Sequence, residues 1–442
     1  MGSAKGTTKV LNCGIIGAGI SGLAAAIALR RAGHQVEIFE KSTFKNEIGA
    51  AITLTPNAML VLDKWGFDEH KAGATEKQQL RQLDMETLKL KAHIDFAGVR
   101  EKFRGHGFAA FHRVDLHEEM RRMASELGVE VTLGKQAVSV DCEAGVIAFK
   151  DGVEVKEDLV ITADGIKSSF VMTVTGEDIP MRKTGKSVYR TLIPMDRLMA
   201  DPLTRPLFEG QPSGFCVSVD PAKGIMYITY PCRGNEVMNF AVFHPTKPRQ
   251  VDAEDWNSPA TIEDVLEVLE GFHPAWHAIA KHADTMNCYA IGHRDTISRM
   301  SKVKAAIIGD AAHPMQPTHA QGAGVSIEDA AALEVLFSDW TPTDSVEKRL
   351  ELFNQLRLPR DNVTQLLSNT MFYHADTPEQ IVQRLRQYYS GPLLEAGEAG
   401  WSEQTMKFFC SYDAFAEAEK AMKFKDDPDG IPDGVIKHFR GP

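Results

Sequence analysis

At the start of the chain, the pattern of hydrophobic and polar positions is first typical of a strand, then of a helix, and then of a strand again. Residues 10–16 form a short apolar run typical of a buried strand, and residues 20–32 form a helical segment that ends at Gly33. Residues 35–40 (QVEIFE) predict a second strand. Strand, helix and strand within about 30 residues make a β-α-β unit with parallel strands. The chain therefore begins as an α/β fold.

Two further helices are predicted from their end residues. The first helix begins at Thr55 and Pro56 and ends at Gly66. The second is capped by Asp115 and ends at Gly128. Apolar strands are predicted at 129–133, 159–162 and 304–308.

The pattern changes between residues 175 and 295. Prolines become frequent, and strand-length apolar runs follow at 214–219, 225–230 and 237–243, before a helix at 261–270. We interpret this segment as a second, sheet-containing domain inserted into the first. Beyond residue 322 the pattern is mostly helical.

Composition narrows the class of protein. The chain has 442 residues, 43% apolar and 25% charged, which is typical of a globular protein with two domains or one composite unit. A net charge of -11 argues against a nucleic-acid-binding surface. The six cysteines form no C-x-x-C pair, so we predict no metal site or disulfide framework and expect a reducing, cytoplasmic compartment.

One segment has the length and apolarity of a membrane span. Residues 10–29 are uncharged and follow Lys5 and Lys9, as in a secretory signal. However, four glycines and Asn12 interrupt the segment, which divides into the strand and helix described above. We therefore predict no membrane span and interpret the segment as part of a nucleotide-binding unit.

The turn between the first strand and helix reads Gly17-Ala-Gly19-Ile-Ser-Gly22. The first glycine permits the tight turn, the second lets a pyrophosphate approach the backbone, and the third lets helix and strand pack closely. Glu40, at the end of the second strand, can accept hydrogen bonds from ribose hydroxyls; the alternative is a solvated side chain. This motif predicts a dinucleotide site but does not separate FAD from NAD(P).

A second group of residues, later in the chain, favours FAD. Gly309-Asp310 follows an apolar strand, and Gly322-Ala323-Gly324 then begins a helix. Asp310 can accept hydrogen bonds from ribityl hydroxyls, and the glycine turn presents N–H groups and a positive helix end to the flavin edge. The third motif, Ala163-Asp164-Gly165, also follows an apolar strand.

Together these motifs resemble those of the single-component FAD-dependent aromatic hydroxylases, which have the para-hydroxybenzoate hydroxylase fold. The salicylate-hydroxylase-like subgroup, which includes fungal phenol monooxygenases, is the most similar. The resemblance runs from about residue 10 to 375 and includes stretches 49–57 and 111–117. It implies a Rossmann-like FAD-binding domain with an inserted β-sheet substrate domain and a helical C-terminal part. The expected sections are 1–178 and 296–375 (FAD-binding domain), 179–295 (substrate domain) and 376–442 (helical part).

The resemblance also implies roles for individual residues. Glu40 would hold the adenosine ribose, Asp310 the ribityl chain, and Arg113 would contact FAD. Ala51 and Ala323 would offer backbone groups near the isoalloxazine. The alternative for Arg113 is a surface arginine ahead of a helix.

The chain departs from the family pattern after Asp164. The usual DGxxSxxR pattern would place arginine at 171, but the residue is Val171, and Lys167 is the nearest cation. How the nicotinamide donor is held, and whether it is NADH or NADPH, therefore stays open. Position 319, often Leu or Arg in relatives, is His319.

Two residues are candidates for the substrate site. By the resemblance, Arg190 would pair with a substrate phenolate or carboxylate, with a structural salt bridge as the alternative, and Tyr230 would hydrogen-bond the substrate oxygen. Tyr227 lies three residues earlier, so on a strand only one of the two tyrosines can face the pocket. His319 is either a pocket base or, more simply, a packed histidine.

The implied reaction uses NAD(P)H and O₂ through a flavin C4a-hydroperoxide to hydroxylate a small phenolic or benzoate-like ring, with or without dearomatisation or decarboxylation. The first alternative is a same-fold epoxidase acting on an indole or isoprenoid, and the second is a flavin dehydrogenase or oxidase. A flavoprotein sensor and a flavin-free dehydrogenase are more distant. The sequence does not indicate an oligomeric state.

Overall fold

The computed structural model describes residues 9–43, 50–247, 259–369, 377–392, 402–432 and 434–436. Gly49, which begins one of the stretches that carry the resemblance, lies outside these residues. The described strands are β1 (Asn12–Ile16), β2 (Gln35–Glu40), β3 (Ala51–Leu54), β4 (Thr75–Lys77), β5 (Gln79–Leu83), β6 (Leu90–Asp95), β7 (Phe108–His112), β8 (Glu130–Leu133), β9 (Ala137–Asp141), β10 (Val146–Phe149), β11 (Glu154–Lys156), β12 (Leu159–Thr162), β13 (Arg182–Pro194), β14 (Gly214–Asp220), β15 (Ile225–Cys232), β16 (Val237–Pro245), β17 (Pro259–Ala260), β18 (Met286–His293), β19 (Ser301–Lys302) and β20 (Ala305–Ile307).

The described helices are α1 (Ile20–Arg31), α2 (Pro56–Trp65), α3 (Val99–Lys102), α4 (Arg113–Glu126), α5 (Val171–Thr175), α6 (Met195–Ala200), α7 (Arg205–Phe208), α8 (Ile262–Val268), α9 (Pro274–Lys281), α10 (Gly322–Phe337), α11 (Val346–Ser368), α12 (Pro378–Tyr388), α13 (Glu403–Cys410) and α14 (Ala414–Ala421).

The first sheet contains the predicted β-α-β unit. Its strand order is β19-β20-β12-β1-β2-β8, and every neighbouring pair except β19–β20 is parallel. The apolar stretch at 10–29 is therefore strand, turn and helix, as predicted. Helix α1 is apolar because α10 and α4 pack against it, and a helix buried on several sides needs no polar face. Across the described residues, we find no helix of the length and apolarity that a bilayer crossing requires.

The second sheet has eight strands in the order β17-β18-β13-β16-β15-β14-β5-β6. It contains the strands predicted between 175 and 295, and it also takes β5 and β6 from residues 79–95. The sequence did not indicate these two strands, because β6 is a mostly exposed edge strand without a regular apolar face. Helices α8 and α9 cover one face of the sheet, and the other face packs against the core of the first sheet.

Two three-stranded sheets complete the described β structure, in the orders β3-β7-β4 and β9-β10-β11. The first of them lies between the large sheets, because β7 contacts β15 and helices α2 and α4. Beyond residue 322 the described chain is helical, and α2, α11 and α14 pack on α10. The structure thus confirms the α/β fold class with an inserted sheet.

One predicted helix start is wrong. Asp115 does not cap α4; the helix begins two residues earlier, after His112. The Asp115 carboxylate instead accepts hydrogen bonds from Arg233 at 2.5 and 2.7 Å. The Asp115 side chain therefore forms a long-range ion pair with Arg233 instead of capping the helix, as the local pattern had predicted.

Candidate active site

The three sequence motifs and Glu40 meet at one edge of the first sheet. Gly17 follows β1, Glu40 ends β2, Asp164 follows β12, and Asp310 follows β20. These strands are parallel neighbours in the order β20-β12-β1-β2, so their carboxyl ends lie side by side. Ligands of open α/β sheets bind at this edge.

The glycine turn after β1 is crowded on one side and open on the other. Gly17 has φ +103°, and a Cβ atom there would lie 2.5 Å from the Ala163 carbonyl oxygen. A Cβ atom on Gly22 would lie 1.9 Å from the Gly17 carbonyl oxygen, so strand and helix meet this closely only with glycine. A Cβ atom on Gly19 would meet no described atom within 4 Å. The backbone at Gly19 is therefore open to a ligand.

Glu40 is held against this turn. It is 8% exposed, and its carboxylate accepts the Ala18 N–H at 2.8 Å and the Ser42 N–H at 2.7 Å. Its burial excludes the alternative of a solvated side chain. Since a carboxylate has about four lone-pair sites, Glu40 can still accept hydrogen bonds from a ribose.

Helix α4 contributes two residues to the same edge. Arg113 is its exposed first residue, and the Arg113 N–H donates to the Ala50 carbonyl oxygen at 2.8 Å. His117 is buried, and its Nε2 lies 2.7 Å from the Ala18 carbonyl oxygen in the glycine turn. The two residues share one helix face, because they are four positions apart. The sequence pattern did not indicate the His117 contact.

Asp310 follows β20 and is exposed at the same sheet edge. Its side chain is accessible to solvent, yet the surrounding protein raises the pKa of its carboxyl by desolvation, against the effects of His313 and Arg113. A side chain that is both reachable and enclosed lines a groove rather than the outer surface. A Cβ atom on Gly322 would lie 3.8 Å from Asp310 Oδ1, so the turn that begins α10, including half-buried Ala323, adjoins it.

A buried arginine joins the Asp164 and Asp310 motifs. Arg294 donates from Nη1 to the Ala311 carbonyl oxygen at 2.8 Å and from Nη2 to the Ile166 carbonyl oxygen at 3.3 Å. Asp164 Oδ1 is buried without a hydrogen-bond partner among the described residues. Val171, where relatives carry arginine, is buried in α5. Arg294, which the sequence did not indicate, therefore places a cation near this motif.

These features fit FAD. An orphaned carboxylate oxygen, a glycine turn open on one side and an enclosed but reachable aspartate lie along one sheet edge. The residues that could hold the cofactor are Gly17, Gly19, Gly22, Glu40, Arg113, Asp164, Asp310, Gly322 and Ala323.

Arg190 and Tyr230 meet at the backbone carbonyl of Ala51. Arg190 Nη2 donates to this oxygen at 2.6 Å, and the Tyr230 hydroxyl donates to it at 3.3 Å. Arg190 Nη1 also donates to the Tyr289 hydroxyl at 3.3 Å. The predicted substrate residues are therefore in contact with Ala51, whose carbonyl is occupied by side chains rather than open to a flavin.

Arg190 has no acidic partner among the described residues. Its Nε is buried without an acceptor, and its close polar neighbours are tyrosine hydroxyls and a carbonyl. The structural salt bridge, the alternative to a substrate contact, is thus not observed in the part of the chain described.

The second sheet separates Tyr230 from Tyr227. Tyr227 packs against Phe240 and Trp276, with ring centroids 5.3 and 4.4 Å away, on the face covered by α8 and α9. Tyr230 packs against Phe215 at 5.2 Å on the opposite face. The prediction that the two tyrosines face opposite sides is confirmed, and Tyr230 shares its face with Arg190.

The rest of that face is mostly apolar. Asn239 pairs with Tyr230 across the strands, and its Oδ1 is buried without a partner among the described residues. The half-buried apolar side chains on this face include Leu192, Val217 and Ile228. The arrangement suits a flat apolar ligand with one polar edge.

His319 is packed in the core. It is 3% exposed, its Nδ1 lies 3.1 Å from Thr318 Oγ1, and its ring centroid lies 5.2 Å from that of Phe409. These contacts support the packed histidine over the pocket base.

A cluster of buried polar residues lies behind the Asp310 motif. Ligand atoms of His313, Asp329 and Asp361 lie within 4.8 Å of one another, an arrangement that could hold a metal. However, Arg357 donates to Asp329 at 2.9 Å and to Asp361 at 2.7 Å, so a guanidinium already lies against both carboxyl groups. Burial opposes the charge on His313, but the two carboxylates outweigh it and raise the pKa of His313 to about 9.

Comparison with known proteins agrees with this geometry. Residues 7–367 match the family model described as an FAD binding domain. The chain belongs to the FAD-dependent aromatic hydroxylases. It is 32% identical over 421 residues to the FAD-dependent monooxygenase cfoG of Aspergillus candidus, covering 93% of this chain and 95% of the relative.

Two further proteins illustrate the range of this hydroxylase family. Hispidin-3-hydroxylase of Neonothopanus nambi is 30% identical over 374 residues, covering 81% of this chain and 87% of the relative. A solved salicylate hydroxylase substrate complex has a TM-score of 0.72 at 23% identity, covering 93% of this chain and 98% of that one. The hydroxylase described here is an FAD-dependent monooxygenase with the fold expected from its motifs.

Proposed function

We propose that the protein uses O₂ and NADH or NADPH to hydroxylate a small phenolic or benzoate-like ring, with or without dearomatisation or decarboxylation. The observation that carries this proposal is Arg190, a half-buried cation whose Nε is buried without an acceptor and which has no acidic partner among the described residues. It shares the Ala51 carbonyl oxygen with Tyr230. Burying an unpaired charge is costly unless a ligand supplies the counter-charge. A phenolate or carboxylate oxygen is such a ligand.

In this proposal, Arg190 and Tyr230 bind the same substrate oxygen. The Tyr230 hydroxyl makes only a long bond of 3.3 Å to Ala51, which a phenolate could replace. Two donors aimed at a phenolate oxygen favour the ionised ring, which is more electron-rich and more readily hydroxylated. The half-buried apolar side chains beside them would hold the ring and exclude water.

The cofactor would lie along the carboxyl edge of the first sheet. Gly17, Gly19 and Gly22 would receive the pyrophosphate and Glu40 the adenosine ribose. Arg113, Asp164, Asp310, Gly322 and Ala323 would hold the remainder. Bound FAD supplies the redox chemistry that links the nicotinamide donor to O₂.

The names of similar proteins support the substrate class. Hispidin-3-hydroxylase and salicylate hydroxylase are both named for aromatic substrates. An anion-binding arginine suits either a phenolate or a ring carboxylate, so both classes belong in the test.

A panel of phenols, hydroxybenzoates and indoles tests the proposal. The FAD-loaded protein is mixed with each compound and with NADH or NADPH, and oxidation of the donor is followed. We expect phenols or hydroxybenzoates to stimulate it. Stimulation by indoles alone would favour the epoxidase, and turnover of a substrate without a nicotinamide donor would favour a dehydrogenase or oxidase.

We also propose a cytoplasmic location. All six cysteines are buried and free, which is compatible with a reducing compartment. Fractionation of the source cells with an antibody to the protein tests this directly.

A further inference from the structure

Lys77 is a buried lysine that the proposed mechanism does not use. Lys77 is the last residue of β4, and only 2% of it is exposed to solvent. Its Nζ donates to the Pro231 carbonyl oxygen. Nζ lies 5.7 Å from the centroid of the Tyr230 ring. Lys77 therefore stands behind the tyrosine whose hydroxyl lies beside Arg190.

The charge on Lys77 is not paired with a carboxylate within the described residues. Burial lowers the pKa of Lys77 to about 7, and the other group that affects it is the Cys232 thiol. A neutral side chain of similar length would avoid this cost of burial. The unpaired amine is thus an expensive feature unless its charge serves the neighbouring site.

The elements packed around Lys77 and Tyr230 present few charged groups. Strand β7 pairs Phe108 with Lys77, and β14 places Phe215 on the Tyr230 ring. Within the described part of the chain, the electrostatic neighbours of the pair are the Cys232 thiol on β15, which acts on both side chains, and Arg190 on β13, which acts on Tyr230. Tyr289 on β18 contacts Arg190 in turn. Lys77 Nζ therefore lies over the Tyr230 ring, while Arg190 reaches the same Ala51 carbonyl oxygen as the Tyr230 hydroxyl.

Resting on the proposed function, we propose that Lys77 is a positioning residue that acts through Tyr230. Its ammonium group, on the ring side of Tyr230, makes the hydroxyl a stronger donor, so that a substrate phenol binds in its ionised form. The phenol proton leaves to bulk water, and no bond to Lys77 forms. A cation near an aromatic ring stabilises negative charge on that ring and on an oxygen beyond it.

The experiment measures the ionisation of a bound phenol. FAD-loaded wild type, Lys77→Met and Lys77→Arg are each saturated with 4-nitrophenol, whose phenolate absorbs visible light, and the difference absorbance is titrated with pH. Lys77→Met should lower the acid dissociation constant of the bound probe by about tenfold. Lys77→Arg should keep the constant within about threefold, because it retains the charge.

The matched control is Lys91→Met on β6, in the sheet that carries Tyr230, since the Lys91 side chain is 51% exposed. It should titrate like the wild type. Equal constants in wild type and Lys77→Met would overturn the role of Lys77 while leaving the proposed function intact. Failure of the FAD-loaded wild type to bind any phenol of the panel would instead overturn both proposals.

If Lys77→Met does not retain FAD, the comparison of wild type with Lys77→Arg carries the test. Lysine loses its charge near pH 7 and arginine does not. The wild-type titration of the probe should therefore be broader than that of a single group, and the Lys77→Arg titration should fit one group. Curves of identical shape would overturn the proposal.

Discussion

Arg190 and Ala51 join the eight-stranded sheet to the three-stranded sheet β3-β7-β4 through one hydrogen bond of 2.6 Å. The guanidinium comes from the second sheet, and the carbonyl belongs to β3. Thr55 and Asn57, just beyond β3, bond to Gln321 at the start of α10. A short chain of contacts thus leads from Arg190 to the turn beside Asp310.

Replacing Arg190 tests the substrate side of this chain. Arg190→Ala should lower kcat/KM for a phenolic substrate by about 100-fold or more, the usual effect of losing one partner of a buried charged hydrogen bond. The FAD content should stay at one per protein, because Arg190 lies on the substrate sheet. Steady-state kinetics and the flavin absorbance check both expectations. Arg197→Ala is the control, because Arg197 is 42% exposed and pairs with Asp284; full activity in Arg190→Ala would disprove the assignment.

The two tyrosines of β15 make a matched pair. Tyr230→Phe should lower kcat by roughly tenfold or more, since it removes a donor to the substrate oxygen. Tyr227→Phe should leave kcat unchanged, because Tyr227 packs against Trp276 on the far face. Turnover of both variants with one substrate decides between them. Equal losses would mean that the hydroxyl of Tyr230 has no special role.

Alanine substitutions at two glycines of the first turn should have different effects, one on stability and the other on FAD binding. Gly22→Ala should lower the Tm of the apoprotein, since its Cβ atom would lie 1.9 Å from the Gly17 carbonyl oxygen. Gly19→Ala should leave that Tm within a few degrees, yet lose FAD, because its Cβ atom enters space free of described atoms. Thermal denaturation without FAD, followed by FAD titration, separates the two effects. Normal FAD affinity in Gly19→Ala would contradict the pyrophosphate assignment.

His313 should make stability depend on pH. Its pKa of about 9 lies above the ordinary 6.5, so its contribution is complete below pH 6.5 and is lost as the pH rises through 9. The free energy of unfolding of wild type minus that of His313→Gln should therefore shrink across this window by up to roughly 3 kcal/mol. Urea denaturation at several pH values measures it.

The wild type must be compared with His313→Gln because Lys77 also makes stability depend on pH. The lowered pKa of Lys77 makes the free energy of unfolding rise with pH above pH 7, opposite to the effect of His313. A difference that stays constant with pH would show that the charge on His313 is not held by Asp329.

Much of the cofactor edge could be predicted from the sequence. Gly17 and Gly22 can be recognised because the turn has no room for a Cβ atom at either position, so glycine is required. Glu40 and Asp310 can be recognised as polar residues at the ends of apolar strands. Such signals depend on neighbouring residues in the sequence, so they can be recognised without knowledge of the fold. The same locality explains the error at Asp115, whose partner Arg233 is 118 residues away.

The residues that the sequence did not indicate depend on distant contacts. Arg294 reaches a carbonyl 128 residues away, and His117 reaches one 99 residues away. Lys77 looks like an ordinary strand-end lysine until β15 is placed beside it. Side chains whose role is to connect elements become visible only once the sheet order is known.

In the proposed function, Arg190 holds the phenolic ring that receives one oxygen atom from O₂. The direct measurement is product mass from reactions under ¹⁸O₂, with wild type and Arg190→Ala, for each phenol or hydroxybenzoate that stimulates NAD(P)H oxidation. We expect a wild-type product carrying one labelled oxygen, and far less of it from Arg190→Ala despite bound FAD. An unlabelled product, or equal labelled product from both proteins, would contradict it.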